Sequence, residues 1–326
     1  MRFIPKSGEG CVPAAGKNLP LHQPLRLRSG AGWTRRMSGV VLSAIVLLTA
    51  TLRHQALAQA LPRQSSGQGQ KAIDAETINL SATPEAETLP GGKTSVVLGL
   101  IANAAPAYDG ARNTRVEPFP YVDIHGWFHD RVFLSSISGL GVNLIDDGPF
   151  KSGLALNYDF GRKSSDSDRL TGLPDIAGAP MVVGFITYAP KPLSFELKVE
   201  NEFGSNPGTV VSLGSAYEFA PTPRLHLSIG SQLSWNNRQY NRSRFGVTPA
   251  EASQATAEGN TMDTYDPGAG ISDVRITATG IYQFSRHWGM ASRLAVNDLV
   301  GAQGRNSPLT ERSVGESIAI GGFYRF

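Results

Sequence analysis

Four histidines follow residue 60: His125, His129, His226 and His287. On a helix, a spacing of four would make His125 and His129 a metal pair. Flanking Gly126-Trp127-Phe128 near a strand end, the same spacing holds them ~13 Å apart along one face, so they read as turn histidines. His226 could act as base to Ser228 or Ser234, which share its polar face, but neither a nucleophile elbow nor an oxyanion motif accompanies them. Gly139-Leu140-Gly141 and Gly268-Ala269-Gly270 lack the strand–helix context of a phosphate cradle. No catalytic, cofactor-binding or metal-ligating set emerges, and the chain is expected not to be an enzyme. The remaining chemistry lies in charge. Glu196, Lys198, Glu200 and Glu202 recur at every second position, and Arg275, Arg293, Asp159, Glu218 and Arg325 fall on comparable polar faces. Such a set can brace a hydrated interior with salt bridges, or form a Glu ladder that favours cations in a narrow pore.

The elements that carry these charges alternate strictly. In Leu193–Phe203, Leu193, Phe195, Leu197, Val199 and Phe203 oppose Ser194, Glu196, Lys198, Glu200 and Glu202. Leu225–Trp235 and Val274–Phe284 behave likewise, as do Leu154–Phe160 and Val211–Phe219. Period two means strands, and these are ~10 residues long against a soluble norm of ~5–6. Aromatics cluster at their ends: Tyr158 and Phe160, Tyr188, Phe203, Tyr217 and Phe219, Trp235, Tyr282 and Phe284, Tyr324 and Phe326. A soluble sandwich explains the alternation. It does not explain strand length, aromatic girdles and loop asymmetry together, which are the marks of a transmembrane barrel. Facing lipid, an Arg or Lys would cost ~2–4 kcal/mol at mid-depth, so the ladder charges must point into the lumen. The fold expected is all-β, a transmembrane antiparallel β-barrel.

The 326 residues carry a formal charge of +3 and one cysteine, Cys11, which excludes a disulfide framework. The positive charge is local. Arg35-Arg36, the apolar stretch from Ser38 to Leu52 and the small-x-small sites at 56–60 form a secretory signal peptide, the apolar run of ~15 residues being too short to span as a helix. Translation starts at Met1 or at Met37. Residues 1–60 hold eight basic residues and one acidic one, so 30 basic and 27 acidic residues become 22 and 26, net −4, in the exported chain. Nucleic acid is thereby excluded as a partner. Residues 61–93, rich in Pro, Gln, Ser, Thr and Glu, read as a flexible periplasmic tail, and 94–326 as the barrel.

Both barrel ends belong on the periplasmic side, which requires an even strand number. Strands are expected near 94–104, 118–127, 151–162, 180–190, 193–204, 208–220, 224–236, 273–285, 287–299 and 313–326. Residues 131–145 go up and back through a turn at Ser138-Gly139-Leu140-Gly141. That makes twelve, or ten if 131–145 is one strand and an end strand is lost. Segments 163–179, 236–271 and 301–312 are external loops. In 236–271, the cluster Asn236, Asn237, Arg238, Tyr240, Asn241, Arg242 and Arg244 reads first as a solvated loop base, otherwise as a receptor surface.

Several segments carry a resemblance. Pro106–Ile124 (PAYDGARNTRVEPFPYVDI), Phe160-Gly161-Arg162 with Asp168-x-Leu170-x-Gly172-Leu173-x-Asp175, Phe245-Gly246-Val247-Thr248-Pro249-Ala250-Glu251-Ala252, and Tyr265-x-Pro267-Gly268-Ala269-Gly270 occur in the order of the MipA/OmpV family of outer-membrane proteins, over nearly all of 94–326. The chain departs from it at Gln254–Thr264, which lacks the usual Ser-Gly-Leu-Pro type segment. The terminal strand, with Ile318, Ile320, Gly322, Tyr324 and Phe326 in phase, resembles the signal read by the barrel-assembly machinery. The resemblance implies a scaffold in the Gram-negative outer membrane, embedded in lipid, that links a periplasmic lytic transglycosylase to a peptidoglycan synthase during cell-wall enlargement. A small-solute channel and an adhesin acting through 236–271 are the alternatives. No cofactor is implied.

Overall fold

A sheet with an apolar outer face must pair its backbone groups internally if it is to sit in lipid. The computed structural model, which describes residues 94–129, 131–204 and 207–326, does so by closing on itself. The expected leader and tail lie outside the described residues. Twelve antiparallel strands form the barrel: β1 (Ser95–Pro106), β2 (Thr114–Trp127), β3 (Val132–Ser135), β4 (Gly139–Asp147), β5 (Phe150–Asp159), β6 (Ala179–Tyr188), β7 (Leu193–Glu202), β8 (Gly208–Thr222), β9 (Leu225–Asn236), β10 (Gly270–Gln283), β11 (Trp288–Asp298) and β12 (Val314–Arg325). Each pairs with its chain neighbours, and β12 closes on β1, with Leu98 opposite Tyr324. Twelve strands, not ten, is therefore the count.

The outward face carries Leu98, Leu100, Leu154, Leu156, Leu197, Val199, Leu213, Ile229, Leu233 and Ile276, all exposed. Two outward hydroxyls, Ser215 and Ser231, hydrogen-bond to each other at 3.0 Å, which removes most of the cost of placing them there. Aromatics frame the band: Phe150 stacks on Tyr188, and Tyr324 meets both Trp288 and Phe326. Short turns and both ends of the barrel share one side, the periplasmic one by the rule for such barrels.

Three expectations need correction. The β3–β4 turn lies at 136–138, with Gly139 already in β4. Its register puts Phe133 opposite Gly141, where an added Cβ would lie 2.1 Å from the ring, so glycine is needed in the ladder and not in the turn. β2 begins at Thr114 rather than near 118, running through Pro118 and Pro120. β3 has only four residues, so it covers only the inner end of β2. Val122 exchanges hydrogen bonds with Ser136 at 2.8 Å on that edge. Thr114, Val116, Pro118 and Pro120, in phase with Val122, have no strand partner there among the described residues. Prolines remove two donors that would otherwise be orphaned. Finally, 236–271 is not an irregular loop. It contains helices α1 (Arg238–Phe245) and α2 (Pro249–Ala257), and a single-turn helix α3 (Ala302–Arg305) follows in the next loop.

Apolar side chains pack inside the barrel. In its periplasmic half Val97, Ile101, Phe119, Tyr121, Ile137, Ile281, Ala291, Ala319 and Phe323 pack together. Phe133, Ala155, Met181 and Val183, with Phe185, line another part of the wall. Ring-over-glycine pairs make the room: Phe133 with Gly141, Phe185 with Gly153 and Phe323 with Gly289. At the external end, residues from four loops build a second apolar core: Ala107, Tyr108, Ala111, Leu170, Leu173, Val247, Ala252, Ala255, Met262 and Leu309. Gly172, at φ +82°, lets its loop approach α2, where a Cβ would lie 2.4 Å from the Ala255 Cα.

Candidate functional site

Between the apolar plug and the loop cap lies a polar chamber of about 140 Å³. Its walls come from strand ends: Asn157 and Asp159 on β5, Lys198, Glu200 and Glu202 on β7, Ser212 on β8, Gln232, Ser234 and Asn236 on β9, and Asp273 and Arg275 on β10. Its roof comes from Tyr108, Asp109, Arg162, Tyr240 and Arg244.

Roof and walls are joined through α1. Asn237 caps this helix by accepting from the Tyr240 N–H at 2.8 Å, while buried Asn241 accepts from Asn236 and donates to the Gly268 carbonyl. These bonds aim Arg244 inward. Its Nη2 lies 3.0 Å from Asp159 Oδ2 and 3.1 Å from Glu202 Oε1, and its guanidinium stands 5.3 Å from the Tyr240 ring centre. Burial opposes the charge on Arg244. Tyr240, Asp159 and Glu202 outweigh it and hold the group above the usual arginine value. Burial also raises the Tyr240 phenol well above its ordinary range. Beside them, Arg162 stacks on Tyr108 at 5.7 Å and donates from Nη1 to the Arg244 carbonyl at 2.9 Å. Burial, then the like charge of Arg244, lowers Arg162 to about 10. Burial pushes the Tyr108 phenol, which donates to the Leu309 carbonyl at 2.8 Å, up to about 12.

A second, external cleft of about 670 Å³ lies above, lined by Arg162, Leu173, Asp175, Gln239, Arg242, Ser243, Gly246, Val247, Thr248, Pro249, Glu251, Thr264, Tyr265 and Asp266, among others. Of the motif-loop residues, Phe245 and Val247 are buried, Val247 bridges to Tyr265, and the Tyr265 hydroxyl donates to the Ala302 carbonyl. Pro249 starts α2, and Gly268 and Gly270 lead into β10. Pro267, between Asp266 and Gly268, is buried.

The structure brings together four members of the ladder. Lys198, 3.3 Å from Glu200, shares the chamber with Glu202 and Arg275. Glu196 lies lower, accepting from the Thr187 hydroxyl, and Arg293 is buried on β11. The polar cluster at 236–244 is not a solvated base throughout. Asn236 and Asn241 are buried and Arg244 is largely shielded, whereas Arg238 and Arg242 sit outside on Asp266. Sequence reasoning missed Arg244 as the partner of Asp159 and Glu202, and missed α2, although Thr248-Pro249-x-Glu251 is a capping box with proline at the first turn.

The histidines stay apart. His125 meets Asp123 at 2.8 Å and stacks on Phe133, while His129 occupies the β2–β3 turn at φ +62°. His226 Nε2 is buried with no hydrogen-bond partner, neither Ser228 nor Ser234, among the described residues. Among the described residues, no group of three or more His, Cys, Asp or Glu could hold a metal. Ile320 and Tyr324 on β12 and Phe326 just after it face outward, and the Phe326 N–H donates to the Val96 carbonyl at the barrel seam.

The profile of the family described as MltA-interacting protein MipA matches residues 98–326. No curated protein matches the sequence. Similar solved structures include the NanC porin, 9% identical over 71% of this chain and 99% of that one, TM-score 0.35. The translocator domain of autotransporter NalP from Neisseria meningitidis is 13% identical over 76% of this chain and 93% of that one, TM-score 0.35. A loop L8 deletion mutant of OmpT, an outer membrane protein of Vibrio cholerae, is 10% identical over 72% of this chain and 99% of that one, TM-score 0.32.

Proposed function

This chain belongs to the MltA-interacting protein MipA family, and from that premise we propose that this outer-membrane β-barrel is a scaffold whose periplasmic turns, with the tail at 61–93, hold a lytic transglycosylase and a peptidoglycan synthase together during cell-wall enlargement. In this reading residues 35–60 direct export, and the strand ending in Tyr324 and Phe326 is read by the barrel-assembly machinery.

One observation carries the reading: four loops pack into an apolar cap at the outer end of the barrel and apolar side chains cluster in its inner half, so what it offers its surroundings is surface rather than an open passage. The inner surface has a distinctive point. Phe128, at the tip of the β2–β3 turn, is 77% exposed, and with His129 it adopts φ above +50° or close to it, at 50° and 62°. A bulky residue is rarely held in this region without compensation, and aromatic residues, phenylalanine included, are enriched at the cores of protein interfaces.

The test is capture of purified periplasmic transglycosylase by the refolded barrel. Capture is expected to be lost in Phe128→Ser and to survive Arg238→Ser and Arg242→Ser, which change the exposed face of α1. The opposite pattern would favour the adhesin reading. Planar-bilayer recordings separate the channel reading: discrete conductance steps from the intact barrel would overturn this account, and their absence is expected.

A further inference from the structure

Arg162, the last residue of the Phe160-Gly161-Arg162 motif, stands between the chamber and the external cleft and lines both. It is 8% exposed. Its Nη1 is used by the Arg244 carbonyl and its face by Tyr108. Nothing among the described residues accepts from its Nε or Nη2, and neither atom is sealed off, so this edge opens onto cavity space. Arg244, its neighbour, has two carboxylates; Arg162 has none within an ion pair. The nearby acids, Asp166 and Glu251 among them, act on it only from a distance. Asp166 holds Arg115 and the Lys163 N–H, Asp175 accepts from the Ser164 N–H, and Glu251 closes the cap of α2.

A buried cation with no carboxylate in direct contact is costly, and an entering oxyanion can supply that contact. The Nε–Nη2 edge of a guanidinium is the planar fork that matches two oxygens of a carboxylate or phosphate. The cleft leading to it, about 670 Å³, is of the size that takes small molecules. Its wall adds neutral donors and acceptors at Gln239, Ser243 and Thr264, while Asp266 is taken up by Arg238 and Arg242.

We propose that the external cleft binds a small soluble molecule bearing a carboxylate or phosphate, and that its oxyanion closes on the Nε–Nη2 edge of Arg162. The body of the ligand lies along Gln239, Ser243 and Thr264. The reading is independent of the scaffold role, since cleft and inner turns lie at opposite ends of the barrel.

The test is calorimetric titration of the refolded barrel, in zwitterionic detergent at constant ionic strength, with inorganic phosphate and separately with acetate. Saturable binding of at least one is expected. Arg162→Gln should weaken it tenfold or more, Arg162→Lys less, and Arg286→Gln, in the exposed β10–β11 turn at the other end of the barrel, less than threefold. Should Arg162→Gln not fold, phenylglyoxal modification of the wild-type barrel, mapped by mass spectrometry, gives the same answer: phosphate should protect Arg162 selectively. No saturable binding, equal losses in Arg162→Gln and Arg286→Gln, or absence of protection would overturn the proposal. So would an effect seen only in nanodiscs containing phosphatidylglycerol, which would assign the anion to a lipid headgroup.

Discussion

Replacing Arg244 by methionine should be among the most damaging single changes in the barrel. Its Nη2 alone bridges Asp159 and Glu202, at 3.0 and 3.1 Å, and the side chains are 12%, 21% and 5% exposed. Methionine keeps the bulk and removes the charge, leaving two carboxylates facing each other in a chamber with room for only a few waters. Removing one member of a buried ion pair costs ~3–5 kcal/mol, chiefly from the charge left behind. Taking ~4 kcal/mol, the unfolding constant rises about a thousandfold. Urea unfolding in lipid vesicles, followed by the emission of Trp127, Trp235 and Trp288, reads this directly. Because the loss lies in the stranded carboxylates, Arg244→Met combined with Asp159→Asn and Glu202→Gln should recover most of it. A single variant that loses less than ~1 kcal/mol, or a triple variant no better than the single, would refute the account of Arg244 as the tie between cap and wall.

Three further outcomes are expected. The Tyr108 phenol, raised by burial to about 12, contributes stability that is fully present below its unfolded value near 10 and is lost as pH rises toward 12. The loss is on the order of 2 kcal/mol, and Tyr108→Phe should flatten the fall in urea midpoint between pH 9.5 and 11.5. Gly289→Val would put its Cβ 2.3 Å from the Phe323 ring. It should cost ~1–3 kcal/mol by overpacking, and less when Phe323 is also shortened to leucine; equal losses would show that the ring does not occupy that space. Deleting Phe326 should lower the amount of barrel in the outer membrane severalfold while leaving refolding into vesicles intact, as fractionation and heat-modifiable gel migration would report. Unchanged outer-membrane levels would remove the terminal signal from the account.

The sheet was legible because lipid imposes one rule on every strand. Outward residues must be apolar and backbone groups paired, so period two runs unbroken through strands such as β7. Parity then decides the count. The rule says which face a residue is on, and nothing about what it meets across the lumen or above it. Glu202 could be placed inward from Leu197 and Val199, but its partner Arg244 comes from a loop helix 42 residues away. That helix has only Tyr240 and Phe245 as large apolar residues. It is held by polar bonds such as Asn241 to the Gly268 carbonyl, which leave no periodicity to read. α2 is different: its capping box and proline are local signals, present in the sequence and overlooked because the segment was already assigned to a loop. Arg162 lies between these cases. Its motif marks it, but a guanidinium is conspicuous only once its counter-charges are counted, and that requires four loops to converge. In a capped barrel the strands thus set the positions from which charge can act. The loops decide which charges are neutralised, so the chemistry of such a protein has to be sought where loop and strand ends meet.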